Sequence, residues 1–288
     1  MSETTQAPFT LRDGLNLAVY DWPLAMRQRP RAVVLLVHGL GEHAWRYDDL
    51  AMRLNEWGFC VRAYDQRGHG ESGGPRGVLP DDDTLLDDLD EVLDDTRRHI
   101  AHPWSCPLIL LGHSMGGLVS AAGVLRAQSR HQHHVDALIL SSPALASGLG
   151  AFRRALVALL MRLAPDLAVP NGLKVNKLSH DSAVVAAYRQ DRLVHNRISA
   201  RLARFILLNG PRVLDAAPRW RVPTLLLYAG ADHLVDPAGS RAFGERAPRQ
   251  IVDARCFEAL YHELFNEENA SQVFDTLRAW LDVHAAPR

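Results

Sequence analysis

Short apolar runs recur along the chain: AVVLLVH (32–38), FCVRAYD (59–65), LILLGH (108–113), VDALILSSP (135–143) and TLLLYAG (224–230). Largely unbroken by polar alternation, such runs suit strands covered on both faces. Helix-length stretches separate them. In 84–100, TLLDDLDEVLDDTRRHI, the residues Leu85, Leu89, Val92, Leu93 and Ile100 recur at helical spacing on one face. Asp81 to Asp83 precede this stretch and Arg97, Arg98 and His99 close it, an order that complements the helix dipole. Its dense acid therefore reads as a solvated helix face rather than a metal site. A further strand is expected around 251–257.

Strands alternating with helices predict βαβ units and a mainly parallel sheet, with ligands at the carboxyl ends of the strands. Between 144 and 219 the pattern changes. Strand-like runs vanish there, and leucine- and arginine-rich helical stretches take over. We read 144–219 as a helical cap inserted into an α/β core made of 1–143 and 220–288.

With 288 residues, 47% of them hydrophobic, the chain can bury one large core. A formal net charge of -1 supplies no global field to attract nucleic acid, which is not expected as a partner. Cys60, Cys106 and Cys256 lie far apart with no CxxC pair, and are expected to be small core hydrophobes in a reducing compartment. The opening MSETTQAPFTLRDG has neither a basic nor an apolar signal region, and no run of 18 apolar residues occurs. A soluble, cytoplasmic protein is expected. His131, His133 and His134 fall in a helix-to-strand loop with no cysteine or carboxylate to complete a metal site, so they read as solvated.

The chemistry concentrates after the strand-like runs. Gly112-His113-Ser114-Met115-Gly116 follows one such run and precedes an alanine-rich helical stretch, about 117–128. In G-x-S-x-G the glycines lack the Cβ atoms that would clash in a sharp turn, so the serine can present its Oγ above the sheet. A serine hydroxyl needs a base, and the base needs a carboxylate to fix its tautomer. Asp232 follows TLLLYAG directly; Asp236, before Pro237, competes with it but suits a helix start better. Among 14 histidines, His262 lies between the last expected strand and the terminal helix, whereas His233 adjoins the acid and His284 lies in the tail. For the oxyanion, the amides of Met115 and of Leu40, in LLVHGLGEH, are the candidate donors. His38 reads as a brace for that loop rather than as a second base.

With HGLGEH, YDQRGHGES, GHSMGG, GADHLVD and YHELFNE in this order, the sequence resembles the α/β-hydrolase superfamily, and within it the monoacylglycerol lipase and lysophospholipase-like serine hydrolases. The likeness spans about 33–281. It implies a mostly parallel eight-stranded sheet flanked by helices, a helical cap, and ester hydrolysis without a metal or organic cofactor. Carried over by position, Ser114 is the nucleophile, Asp232 the acid and His262 the base. The backbones of Leu40 and Met115 are the oxyanion donors. The resemblance also implies that Glu42 and Arg46 hold glycerol hydroxyls; the competing reading is a surface ion pair at a helix start. The family's further histidine, three residues after the base, is replaced by Phe265, which puts the polar end of the site in question.

In the cap, AFRRALVALLMRLA (151–164) projects Phe152, Leu156, Leu159, Leu160 and Leu163 as one apolar stripe, with Val157 and Met161 on its shoulder. The stripe is expected first to dock the helix; any free part would line an acyl tunnel, with Phe152, Leu156 and Met161 as substrate contacts, or touch a membrane surface transiently. The expected partner is thus a small lipid ester, and the expected location is the cytoplasm, peripheral to a membrane. The activity expected is a serine hydrolase acting on medium- or long-chain carboxylic esters, monoacylglycerols first. A lysophospholipase, thioesterase or acyltransferase would use the same triad, and a non-catalytic receptor could share the fold. Dehalogenases and epoxide hydrolases of this fold use an aspartate nucleophile, against which Ser114 argues.

Overall fold

Alternate residues of each central strand enter opposite cores, which is why the sequence shows continuous apolar runs there. Val33, Leu35, Val37, Leu108 and Leu110 belong to one core, and Val34, Leu36, Ile109 and Leu111 to the other. The computed structural model describes residues 4–25, 28–132, 135–146, 148 and 150–285, without the side chains of 151–154. His133, His134 and the side chain of Phe152 lie outside the described residues.

The strands are β1 (Thr5–Thr10), β2 (Asn16–Trp22), β3 (Val33–Val37), β4 (Cys60–Tyr64), β5 (Leu108–His113), β6 (Ala137–Ser141), β7 (Ala168–Pro170), β8 (Arg197–Ser199), β9 (Thr224–Ala229) and β10 (Val252–Phe257). The helices are α1 (Asp48–Glu56), α2 (Thr84–Thr96), the one-turn α3 (His102–Trp104), α4 (Met115–Ser129), α5 (Ala151–Leu163), α6 (Ser182–Gln190), α7 (Ala200–Ala216), α8 (Pro237–Arg246) and α9 (Ser271–His284). Eight strands form one sheet in the order β1-β2-β4-β3-β5-β6-β9-β10. The pairs β1/β2 and β2/β4 are antiparallel and the rest parallel. This is the mostly parallel eight-stranded sheet that the resemblance implies. Helices α2, α4, α7 and α8 contribute to the core on one face, and α1 and α9 to the core on the other.

Three local expectations need correction. The segment between β6 and β9 is not free of strands: β7 and β8 pair antiparallel there. The acid of α2 is only partly solvated, because Asp88 is buried in a two-pronged pair with Arg67, at 2.8 and 2.9 Å. The three cysteines are free and half-buried rather than core residues. His131 is exposed, in a left-handed turn after α4.

Candidate active site

Four loops at the carboxyl ends of β3, β5, β9 and β10 carry the residues that the sequence singled out. After β5 the chain turns sharply into α4, and Ser114 sits at the apex with φ 55° and ψ -119°. Few non-glycine residues adopt such a backbone, which stores strain. The turn is held from both sides: the Ser114 amide donates to the Ser141 carbonyl at 2.9 Å, and its carbonyl accepts from Ala144 at 2.9 Å and Leu118 at 3.1 Å. The flanking glycines supply room rather than unusual φ. A Cβ at Gly112 would lie 2.5 Å from the Gly116 carbonyl oxygen, and one at Gly116 would lie 2.1 Å from that of Val37.

The loop after β3 lies against this turn. A Cβ on Gly39 would stand 3.1 Å from the Ser114 Cβ. The Gly39 amide donates to Glu42 Oε1 at 2.6 Å. His38 Nδ1 donates to the Gly39 carbonyl at 2.7 Å while Nε2 accepts from the Gln66 amide at 2.8 Å, so His38 braces the loop. Leu40 and Met115 line one cavity with Ser114 and His262.

After β9, Asp232 turns back under the site. Its Oδ1 accepts from the amides of Leu234 at 2.8 Å and Val235 at 3.0 Å, and Oδ2 lies 2.6 Å from His262 Nδ1. Asp236 instead caps α8, accepting from the Ala238 amide. The side chains of His262 and Asp232 are 3% and 2% exposed, so their pair is sheltered from screening. Burial opposes protonation of His262, but Asp232, then Glu263 and Glu42, outweigh it and raise the imidazole pKa. Burial would likewise raise the Asp232 pKa, yet His262 and the two turn amides lower it. His113, packed 4.6 Å from the His262 ring, is pushed down to about 4 by burial and by that neighbour, and so is neutral near pH 7.

Glu42 and Arg46 form an ion pair, but not a surface one: their side chains are 4% and 10% exposed. The pair extends to Glu263, which the sequence reading missed. Arg46 Nη1 and Nη2 donate to its two oxygens at 2.7 and 2.8 Å. The one available signal was its place directly after His262. Phe265 points to other company, packing 5.5 Å from Phe274 in the core beneath α9.

The cavity that joins these groups has a volume of about 190 Å³. Glu42, Glu263, Tyr188 and Asn171 give it a polar wall, while Leu173, Leu178, Ile198, Ile206, Leu234 and Val235 supply apolar surface. Leu156 and Met161 do not line it. The stripe of α5 is also less covered than expected: Leu156, Leu159 and Leu163 are 44%, 52% and 74% exposed. The partly covered positions are Val157, Leu160 and Met161, so the covered edge of the helix includes the shoulder rather than the stripe's centre.

Residues 28–269 match the family model described as serine aminopeptidase, S33. The chain is 37% identical over 264 residues to a monoacylglycerol lipase of Mycolicibacterium smegmatis, covering 88% of this chain and 89% of that protein. It is similar to a crystal structure of a monoacylglycerol lipase from Paleococcus ferrophilus, with a TM-score of 0.80 and 33% identity over 94% of this chain and 99% of that one. An uncharacterized abhydrolase domain-containing protein of Dictyostelium discoideum is 33% identical over 272 residues; the match covers 93% of this chain but 28% of that protein.

Proposed function

The chain belongs to the serine aminopeptidase S33 family and is a carboxylic ester hydrolase of the α/β-hydrolase fold; from that premise we propose that it cleaves monoacylglycerols through an acyl-enzyme on Ser114. His262 Nε2 takes the proton from Ser114 Oγ as the oxygen attacks the ester carbonyl carbon. Asp232 holds the ring with Nδ1–H turned toward itself and stabilises the imidazolium that forms. The amides of Leu40 and Met115 hold the oxyanion. As the intermediate collapses, the imidazolium gives its proton to the departing glycerol oxygen. Water then attacks the acyl-enzyme by the same proton route and frees the fatty acid.

The observation that carries this reading is the shared cavity: Ser114 at its strained apex and His262, 2.6 Å from Asp232, line the same apolar-walled space. Each methylene buried there contributes roughly 0.8 kcal/mol to binding, which favours medium or long acyl chains. The glycerol end falls to the polar wall that includes Glu42, with Arg46 behind it. Residues 144–219 act as the cap over the cavity. The open leucines of α5, with Leu167 beyond it, are the surface by which the cap meets the lipid from which substrate is drawn. No described helix is long and apolar enough to cross a membrane.

The test is release of lauric acid from 1-lauroylglycerol. Wild-type protein is expected to release it and Ser114→Ala to lose it; release by folded Ser114→Ala overturns the proposal.

A further inference from the structure

The polar wall of the cavity carries more negative than positive charge, and Glu263 is the reason. Arg46 is nearly buried. Both terminal nitrogens of its guanidinium are committed to the two oxygens of Glu263, Nη1 also meets Glu42, and the Tyr188 ring covers Cζ at 4.7 Å. Glu263 is further fixed by Asn266 Nδ2 at 2.9 Å, and Glu42 by Tyr47 Oη and the Gly39 amide, each at 2.6 Å. Glu42, Glu263 and Tyr188 line the cavity; Arg46 is not among its lining residues. Two carboxylates therefore face the substrate space with one guanidinium held behind them. Burial would raise the Glu42 pKa, but Arg46, His113, His38 and Tyr47 together bring it down to about 2, so it is ionised at neutral pH. The other groups nearby do not reverse the balance. His113 is neutral, Asp232 adds a third carboxylate beside His262, and the Lys177 ammonium is held by Tyr261 Oη.

We propose that Glu263 sets the charge selectivity of the leaving-group side of the site, admitting neutral polyol or cationic alcohols and rejecting alcohols that carry a phosphate. The inference rests on the ester-cleaving reading of the same cavity and narrows its substrate class. Without Glu263, Arg46 and Glu42 would form a balanced pair with a guanidinium edge able to meet a phosphate oxygen. With Glu263 that edge is spent within the protein, and an anionic alcohol meets two carboxylates in a poorly hydrated space, where repulsion is screened far less than in water. Specificity by repulsion of the wrong partner is a general route to discrimination.

The test compares 1-lauroylglycerol, 1-lauroylglycerol 3-phosphate and lauroylcholine, below the concentrations at which they aggregate. For the wild type, kcat/KM for the phosphate ester is expected to fall about tenfold or more below that for the glycerol ester, with lauroylcholine not subject to this penalty. Glu263→Gln keeps the side-chain shape but removes one charge, and should narrow the glycerol-to-phosphate ratio about tenfold. Glu42→Gln, which removes the same unit of charge from the other carboxylate, should narrow it likewise if Glu263→Gln fails to fold. A wild-type ratio near one, or an unchanged ratio in a folded variant, overturns the proposal. A fluorophosphonate adduct on Ser114 in the same preparations reports separately on the nucleophile. A charge-blind enzyme is thereby told apart from one that lacks the proposed chemistry.

Discussion

Replacing Asp232 by Asn perturbs one atom and, on this geometry, inverts the proton logic of the site. The new side chain must place its oxygen and its NH2 group in the positions of Oδ1 and Oδ2. Two amides, of Leu234 and Val235, point at Oδ1, whereas one ring nitrogen meets Oδ2. Setting NH2 against the two amides would leave buried donors facing a donor, at about 1–3 kcal/mol for each unmet group. The oxygen therefore stays with the turn and the NH2 faces His262. Nδ1 must then accept a hydrogen bond, so the ring proton moves to Nε2, the atom that in the proposed mechanism receives the Ser114 proton. A base fixed in the wrong tautomer costs about 10⁴-fold in kcat. Hydrolysis of p-nitrophenyl laurate by purified Asp232→Asn, with thermal unfolding as a control for folding, measures this. Folded variant within tenfold of wild-type kcat would refute the reasoning.

The raised pKa of His262 makes a second expectation: kcat/KM should climb as pH rises through a midpoint above the ordinary imidazole value of 6.5, because the proposed mechanism uses the neutral ring as base. Glu263→Gln should move that midpoint down, and an acid limb below 6.5 in the wild type would contradict the electrostatics. Gly116→Ala drives a Cβ into the Val37 carbonyl at 2.1 Å; a loss of about 3 kcal/mol of stability, read by urea unfolding, is expected, with activity falling as the turn shifts. Leu159→Glu with Leu163→Glu should weaken sedimentation with phosphatidylcholine vesicles while hydrolysis of soluble p-nitrophenyl butyrate is retained, and undiminished vesicle binding would remove α5 from the lipid-contact reading.

The centre of the sheet was legible because strands buried on both faces leave continuous apolar runs. β1 was not legible: TQAPFT is exposed at every position but one and pairs only at the sheet's edge, so no periodic burial marks it. The three-residue β7 and β8 are too short to leave a pattern. Ser114, Asp232 and His262 could be ordered along the chain because each lies in the loop that follows a strand, and the loops at the carboxyl ends of parallel strands gather at one edge of the sheet. Glu263 could not be read in the same way. Its meaning comes from Arg46, 217 positions away, which only the fold brings to it. Periodicity also misled at α5. It shows that a helix has an apolar face, but not whether anything covers that face, and Leu163 is 74% exposed.

Mass spectrometry after exposure to a fluorophosphonate tests most directly whether the hydroxyl at the strained turn is the reacting group. One adduct per chain, mapped to Ser114, abolished in Ser114→Ala and slowed in His262→Ala, is the result this account predicts. Intact, folded protein that stays unmodified, or is modified at another residue, would contradict it.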